Sequence, residues 1–214
     1  MKIVAGAMGL LMYAGIATAQ SVFPSARDFN PCPGGKASLR LNIGENPGLD
    51  RLVRLSNLII RGRVANVLPP VSFNLNQTVT NIETDSLILV EQVFHGDLPP
   101  DPRTIALMQI GGDDPKCSVV VQDDPLVKDG EQYIFFLKKD PRTTPPNTSG
   151  SPRYYAVGYW SGKAKIVDEK IQFLPATNAE LRRYNNTDIG AFIETLQSRI
   201  NVVLSKPIAK QPRR

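Results

Sequence analysis

The chain has 214 residues and a net charge of +5, from 25 Lys and Arg against 20 Asp and Glu. This length suits one sizeable domain with short appendages. Basic residues are scattered through the body, and aromatic residues do not interleave with them as they do on nucleic-acid-binding surfaces. We therefore expect no nucleic-acid partner.

The N-terminal stretch "MKIVAGAMGLLMYAGIATAQ" has one lysine, an apolar run over residues 3–16 and small residues at positions 17–19. A basic start, a short apolar run and a small-x-small ending are typical of a secretory signal. The run is too short to span ~30 Å of hydrocarbon, and no later segment is long and apolar enough to do so. We predict a signal peptide at 1–19 and a mature chain that begins near Gln20. The protein should be secreted and extracellular, with no transmembrane segment.

Two cysteines follow, Cys32 in the segment 20–45 and Cys117 in "DDPKCSVVV". In an oxidising compartment two cysteines predict one disulfide bond, and two free thiols in a core are the alternative. A bond between them would close a loop of about 85 residues and stabilise the fold by about 4–5 kcal/mol in the chain-entropy model. The segment 20–45 would then be a strap tied to the middle of the domain.

Residues 46–175 predict a β-rich domain. It opens with a helical pattern at 46–57, followed by short runs rich in Val, Ile, Phe and Tyr between Gly- and Pro-rich breaks, as in strands and loops. The apolar runs are 57–67, 85–96, 104–110, 117–121, 132–139, 154–160 and a pair around 168–169. Several runs are apolar on both faces, as expected where one face lines a barrel and helices cover part of the other.

The segment 176–204 predicts helices, a short one in "TNAELRRY" and a longer one in "NTDIGAFIETLQSRI". The longer helix carries an apolar stripe that should pack on the barrel. The stripe consists of Ile189, Phe192, Ile193, Leu196 and Ile200. The tail 205–214 is basic and proline-containing, which predicts a disordered end, with docking on a polyanion as the alternative. The elements together predict a mainly β (α+β) fold, a closed barrel with flanking helices.

Catalytic signatures are missing from the sequence: no zinc-protease motif, nucleophile elbow or dinucleotide-binding loop occurs. The single histidine, His95, ends a strand before a glycine, a position typical of a turn. We predict no enzyme activity, no cofactor and no metal. The Asp pairs at 113–114 and 123–124 each precede proline, which is typical of turns, and a calcium site built from both loops is the alternative.

Three N-glycosylation sequons begin at Asn76, Asn147 and Asn185, all in predicted loops, and they predict a glycoprotein. Trp160, the only tryptophan, follows the aromatic run "YYAVGY". An exposed indole ring could stack on a sugar ligand, whereas a core position at the rim of the barrel is the more usual environment of tryptophan.

The order of these segments carries a family resemblance. A helix leads into "LSNLIIRGRVANV", followed by "SLILVEQVFHGD", "TIALMQI", a cysteine loop, "DGEQYIFFLKK" and "GKAKIVDEKIQF". Over roughly residues 30–185 this pattern resembles the netrin-like module, the barrel of the tissue inhibitors of metalloproteinases. The resemblance implies a five-stranded closed β-barrel of the OB (oligonucleotide/oligosaccharide-binding) type. It also implies a bond from Cys32 to Cys117, because that family staples its N-terminal segment to the loop after the third strand.

The resemblance further implies a non-enzymatic binding module that acts as a monomer on an extracellular protein, with a metalloprotease among the candidates. The inhibitors of that family chelate the target's zinc with a mature N-terminal cysteine. Here the mature chain should begin at Gln20 instead, and the Cys-x-Cys start of the family is absent. A carbohydrate- or extracellular-matrix-binding module is the alternative function.

Overall fold

The structure of the protein is a computed structural model. The residues that it describes are 36–39, 46–76, 79–98, 103–115, 117–142, 150–175 and 177–205. The predicted signal peptide at 1–19, Cys32, Asn147 and residues 206–214 of the predicted tail lie outside this part of the chain.

Strands dominate the described residues, and three helices flank them. The strands are β1 (Lys36–Leu39), β2 (Leu58–Val67), β3 (Val71–Asn76), β4 (Val79–His95), β5 (Thr104–Ile110), β6 (Gly112–Asp114), β7 (Cys117–Val121), β8 (Gln132–Lys139), β9 (Arg153–Ala156), β10 (Lys163–Val167) and β11 (Lys170–Phe173). The helices are α1 (Leu49–Leu55), α2 (Ala179–Arg182) and α3 (Ile189–Ser205), and a 3-10 turn spans Tyr159–Gly162. The predicted mainly β fold with flanking helices is confirmed.

Five strands close into a barrel. β2 pairs with β4 and β8, β4 with β5, β5 with β9, and β9 returns to β8. All these pairings are antiparallel except β5 with β9, which is parallel. When the barrel strands are counted from one to five in chain order, the ring reads 1-2-3-5-4-1. This is the connectivity of the OB barrel, so the predicted five-stranded closed barrel is confirmed.

Side chains alternate between the inside and the outside of the barrel, as the two-residue period of a strand requires. Along β8, Tyr133, Phe135 and Leu137 point into the barrel core, whereas Ile134 and Phe136 belong to a second apolar cluster outside it. This strand is therefore apolar on both faces because each face has its own core to fill.

The helices α1 and α3 cover the outer surface of β2, β8, β10 and β11, which we call the helix-covered side. Phe192 of α3 is fully buried there, with its ring 6.0 Å from that of Phe173 and 5.3 Å from that of Tyr184. The other positions of the predicted stripe follow the same face. Ile189, Leu196 and Ile200 are buried, and Ile193 packs against the same cluster while partly exposed.

The free side of β11 is closed by the chain that precedes α3. Backbone hydrogen bonds run from Asn186 N to Ile171 O, from Ile171 N to Thr187 O and from Ile189 N to Glu169 O, at 2.9 Å each. Since an unpaired strand edge attracts other strands, this segment removes one such edge from the sheet.

A small three-stranded sheet, β1-β7-β6, lies outside the barrel ring. β1 runs parallel to β7, with Lys36 opposite Ser118, so β1 lies alongside the strand that begins at Cys117. Cys117 is buried. Because Cys32 is outside the described residues, the disulfide bond remains a prediction, and this register is compatible with it.

Candidate functional site

An ion network is buried on the outer surface of β4 and β9. The Arg153 side chain is only 3% exposed and donates to Asp85 from Nε at 2.9 and 3.1 Å and from Nη2 at 2.8 Å. Its Nη2 also donates to Glu83 at 2.8 Å, and its Nη1 donates to Asp140 at 3.0 Å. A guanidinium buried this deeply needs carboxylate partners on all its donors to offset its lost hydration.

A second arginine joins the network at its surface. Arg142 donates from Nη1 to Glu83 at 2.9 Å and from Nη2 to Asp140 at 2.8 Å. Arg142 lies near the start of the segment that joins β8 to β9, and Arg153 is the first residue of β9. The network therefore links both ends of that segment to β4. We call the side chains of Glu83, Asp85, Asp140, Arg142 and Arg153 the ion network.

The pKa shifts inside the ion network follow its geometry. Burial raises the pKa of the Asp85 carboxyl, and the hydrogen bonds and charge of Arg153 oppose this without cancelling it. Burial would also raise the pKa of Asp140, but hydrogen bonds from the Arg142 side chain and backbone outweigh it, so that pKa is lowered. The pKa of Arg153 is raised, because its carboxylate partners outweigh the effect of burial. Arg153 and Asp140 are thus held in their charged forms, which suits a structural role.

A second buried pair holds the predicted acidic loop at 123–124. Lys163 Nζ lies 2.6 Å from Asp124 Oδ1, with side chains 2% and 3% exposed, and it donates to Pro125 O at 3.1 Å. The other Asp pair is engaged as well, because Asp114 accepts from Ser72 Oγ at 2.6 Å and Asp113 accepts from Ser118 Oγ. The described residues contain no group of three His, Cys, Asp or Glu side chains that could hold a metal ion.

Glu131 binds three donors at the end of the barrel. It accepts from Tyr133 Oη at 2.6 Å, from Lys165 Nζ at 2.6 Å and from the Lys128 backbone at 2.9 Å. Burial alone would raise its pKa, but these hydrogen bonds outweigh burial and lower it. The pKa of Tyr133 is raised by burial and by its hydrogen bond to this carboxylate, so the phenol stays protonated.

The far half of β4 is the part of the barrel that stays open to solvent. Leu89 and Val93 are 47% and 42% exposed, although both are large apolar side chains on a sheet. Beside them Glu91 is shared by two arginines, with Arg61 Nε at 3.1 Å and Arg63 Nε at 3.3 Å. We call the side chains of Leu89, Glu91, Arg61 and Arg63 the outer β4 face, and Val93, which lies opposite Ile60 in the register with β2, is exposed next to it. Two guanidiniums around one carboxylate leave this surface with one positive charge in excess.

A groove of about 480 Å³ borders the outer β4 face. Its lining residues are Val90, Glu91, Gln92, Val93, Gly96, Asp97, Leu98 and Arg103. Gly96 has a φ of +86°, and a Cβ there would lie 2.2 Å from the backbone oxygen of Asn57. Only glycine fits this close approach, by which the chain leaves β4 and turns to form the end of the groove.

The structure places Trp160 away from this surface. It is 7% exposed in the 3-10 turn and packs in a cluster with Ile82, Val119 and Val121. The indole ring is therefore not exposed to stack on a sugar, and the core interpretation fits its environment. The sequence left both interpretations open because a lone tryptophan after a strand has no periodicity that indicates its direction.

Two of the three predicted sequons fall within the described residues, and Asn147 lies outside them. Asn76 was expected in a loop, but it is the last residue of strand β3. The Asn185 side chain accepts from Phe173 N at 2.7 Å and donates from its amide nitrogen, the atom that would carry a glycan, to Phe173 O at 3.3 Å. A glycan at Asn185 would have to replace the second of these hydrogen bonds.

His95, the only histidine, ends β4 opposite Ile59 and is half-buried. Within the part of the chain that the structure covers, no helix has the length and apolar character needed to cross a membrane.

No protein-family model matches the chain, and the curated proteins include no significant match. The netrin-like resemblance therefore remains a prediction from the strand pattern, and function has to be argued from the surface itself.

Proposed function

We propose that the chain is a secreted, non-enzymatic binding module of netrin-like type that binds an extracellular protein through its outer β4 face. The observation that carries this proposal is the exposure of Leu89 and Val93 beside Arg61 and Arg63. Apolar side chains at the centre and arginines around them are the composition typical of protein-binding patches.

The outer β4 face is built on a rigid support, which favours a binding role. Its residues lie on β2 and β4, whose inward side chains Ile60, Val64, Ile88 and Val90 are buried in the barrel core. At the near end of β4 the ion network fixes the strand to the loop between β8 and β9. A surface held this firmly loses little conformational entropy when it binds, so more of the contact free energy contributes to affinity.

Binding to a protein is favoured over binding to a glycan. Sugar sites rely on exposed aromatic rings, and the aromatic side chains that the structure describes are buried or half-buried, Trp160 included. Inhibition of a metalloprotease through an N-terminal cysteine is not part of the proposal, since the mature chain is expected to begin at Gln20. The netrin-like barrel is proposed as a scaffold, because a fold by itself does not specify an activity.

Capture with paired charge-reversal variants tests the proposal. The mature protein, Arg63→Glu and Arg199→Glu would be immobilised and incubated with extracellular fluid from the source, and bound proteins would be quantified by mass spectrometry. Arg63 and Arg199 are matched, because both side chains are 48% exposed and both lie in an ion pair, but Arg199 is on α3.

We expect one protein to be retained by the unmodified chain and by Arg199→Glu, and to be reduced about tenfold by Arg63→Glu, within the range for charges at an interface. Equal retention by all three chains, or retention by none, would contradict the proposal. Circular dichroism of both variants confirms that the fold is intact.

A further inference from the structure

One lysine and one aspartate are buried together beside the barrel core. Lys163 is the first residue of β10 and lies opposite Phe135 of β8, whose ring belongs to that core. Asp124 belongs to the segment between β7 and β8. The two side chains are 2% and 3% exposed, and Lys163 Nζ lies 2.6 Å from Asp124 Oδ1. Two charges at this depth carry a large desolvation cost.

The contact between these two side chains lacks the geometry of a hydrogen bond. Among the described residues, Asp124 Oδ1 has no hydrogen-bond partner, and the amine donates instead to Pro125 O at 3.1 Å. The nearby pair of Lys165 and Glu131 has the same separation of 2.6 Å but is hydrogen-bonded, with side chains 38% and 17% exposed. The buried pair therefore lacks the hydrogen bond that would offset the burial of its charges.

We propose that Lys163 and Asp124 condense to an intramolecular isopeptide bond, which is an amide between Nζ and the side-chain carboxyl carbon. This bond is a modification that the chain makes on itself, and it does not depend on the proposed binding function. One neutral amide would replace two buried charges and so remove their desolvation cost. The amide N–H would keep the hydrogen bond to Pro125 O that the lysine already makes.

The condensation balances without a co-reactant. A proton passes from the Lys163 ammonium to the Asp124 carboxylate, which leaves an amine and a carboxylic acid and removes both charges from the buried site. The amine nitrogen attacks the carboxyl carbon and a C–N bond forms. The C–OH bond then breaks, and the hydroxyl leaves as water with a proton from the nitrogen. Nothing is oxidised or reduced, and the chain loses one molecule of water.

The site has the two properties that make this reaction favourable inside a protein. Well-oriented groups held in contact reach effective concentrations of about 10⁵–10⁸ M, far above those of free reactants. The segment that carries Asp124 is held in place by Gln109, whose side chain donates to Pro125 O at 3.0 Å and accepts from Val127 N at 2.9 Å. Burial of both reacting groups excludes bulk water, which protects the amide from hydrolysis.

The bond would join the segment between β7 and β8 covalently to the start of β10. Because an amide is not reduced by thiols, this link would persist where the predicted disulfide of Cys117 is lost. The two links would differ in this respect although both involve the stretch that begins with β7. A covalent tie of this kind suits a protein that acts outside the cell.

Mass spectrometry of the mature protein tests the inference after expression without glycosylation, with the protein reduced and denatured. The isopeptide bond lowers the intact mass by about 18 Da, one water. It also blocks cleavage by trypsin after Lys163, so the peptide 117–128 should be recovered joined to the peptide 154–165. Fragmentation of the joined peptides should place the link at Asp124 and not at Asp123.

Lys163→Arg keeps the positive charge but removes the nucleophilic amine, so both the mass loss and the joined peptides should disappear. Lys165→Arg is the matched control and should keep both, because Lys165 has an equally close carboxylate partner in the hydrogen-bonded, less buried pair. Loss of water within the sequence Asp129-Gly130 would join no peptides, so the peptide map separates that reaction from the isopeptide bond.

The decisive result comes from the unmodified protein and so does not depend on whether a variant folds. Recovery of 117–128 and 154–163 as separate peptides, with the intact chain at full mass, would overturn the inference and leave Lys163 and Asp124 as a buried ion pair. A mass loss that persists in folded Lys163→Arg would overturn it as well.

Discussion

The two outer sides of the barrel are covered in different ways. On the helix-covered side, α1 and α3 bury an apolar layer that includes Phe136, Phe173 and Phe192. On the side of β4 and β9, the ion network holds a loop against the near half of β4, while the far half remains open with Leu89 and Val93 in solvent. The helices therefore bury an apolar layer on one side, whereas part of the other side stays exposed, where we propose that a partner binds.

The two sides also differ in how their buried layers contribute to stability. Apolar burial on the helix-covered side stabilises roughly in proportion to area and tolerates small changes of geometry. The ion network contributes little net stability compared with an apolar layer of the same volume, but each of its charges depends on the others. It should therefore be the more sensitive of the two layers to removal of a single side chain.

The largest effect should come from Arg153→Met, which removes the central cation of the ion network. Glu83, Asp85 and Asp140 would remain buried with Arg142 as their only cation in the network. We expect the free energy of unfolding to fall by about 3–5 kcal/mol, the range for one partner removed from a buried ion pair. Urea denaturation followed by tryptophan fluorescence measures it.

Arg199→Met is the control, because Arg199 contacts Asp50 at 3.7 Å with both side chains about half exposed. Its effect should be below about 0.5 kcal/mol. Similar costs for the two arginine variants would mean that the ion network is not the tightly coupled unit described here.

On the helix-covered side, Phe192→Ala should lower the free energy of unfolding by about 3–4 kcal/mol, because a fully buried aromatic ring is lost and α3 cannot close the cavity. Thermal melting measures the change, and Gln197→Ala, an exposed position of the same helix, is the control. A loss below about 1 kcal/mol would show that α3 does not depend on this contact.

Cys117→Ser tests the predicted strap and should lower the free energy of unfolding by about 2–4 kcal/mol. Peptide mapping without reductant should recover Cys32 joined to Cys117 in the unmodified protein. Recovery of either residue as a free thiol would refute the bond, and a stability loss that persists in reductant would trace the effect of the variant to packing alone.

The smallest expected effect is a pH dependence of the free energy of unfolding that comes from Glu131. Its pKa lies below the usual 4.5, so the ionised carboxylate stabilises the fold above that value. The contribution is lost as pH falls through the lowered pKa. Glu131→Gln should therefore be less stable than the unmodified protein at neutral pH, and the difference should vanish in acid. Denaturation curves across pH 2–7 measure this trend, and a difference that is constant with pH would contradict it.

Sequence patterns predicted the layers whose residues follow a local period. The alternation in β8 and the stripe around Phe192 are readable because their members are two or three to four positions apart. The ion network was not predicted. Arg153 lies 68 positions from Asp85 and 70 from Glu83, so no local pattern connects them, and charges at strand ends are usually solvent-exposed.

The open half of β4 was not predicted either. The run 85–96 indicated a strand, but where its neighbour β5 begins depends on the loop that joins them. The ion pairs of individual side chains could not be predicted from the sequence either. Asp124 was grouped with turn-forming residues, and only the fold brings Lys163 within 2.6 Å of it. Pairings of this kind depend on tertiary structure, which a single sequence does not display.

The most direct measurement of the contrast between the two sides is site-specific photo-crosslinking in extracellular fluid from the source. A photoreactive residue would replace Leu89 on the outer β4 face in one sample and Gln197 on α3 in another, both of which are exposed. Leu89 should crosslink to one extracellular protein, and Gln197 should give no such product. Crosslinking of the same protein from Gln197 but not from Leu89 would contradict the assignment of the outer β4 face as the binding surface.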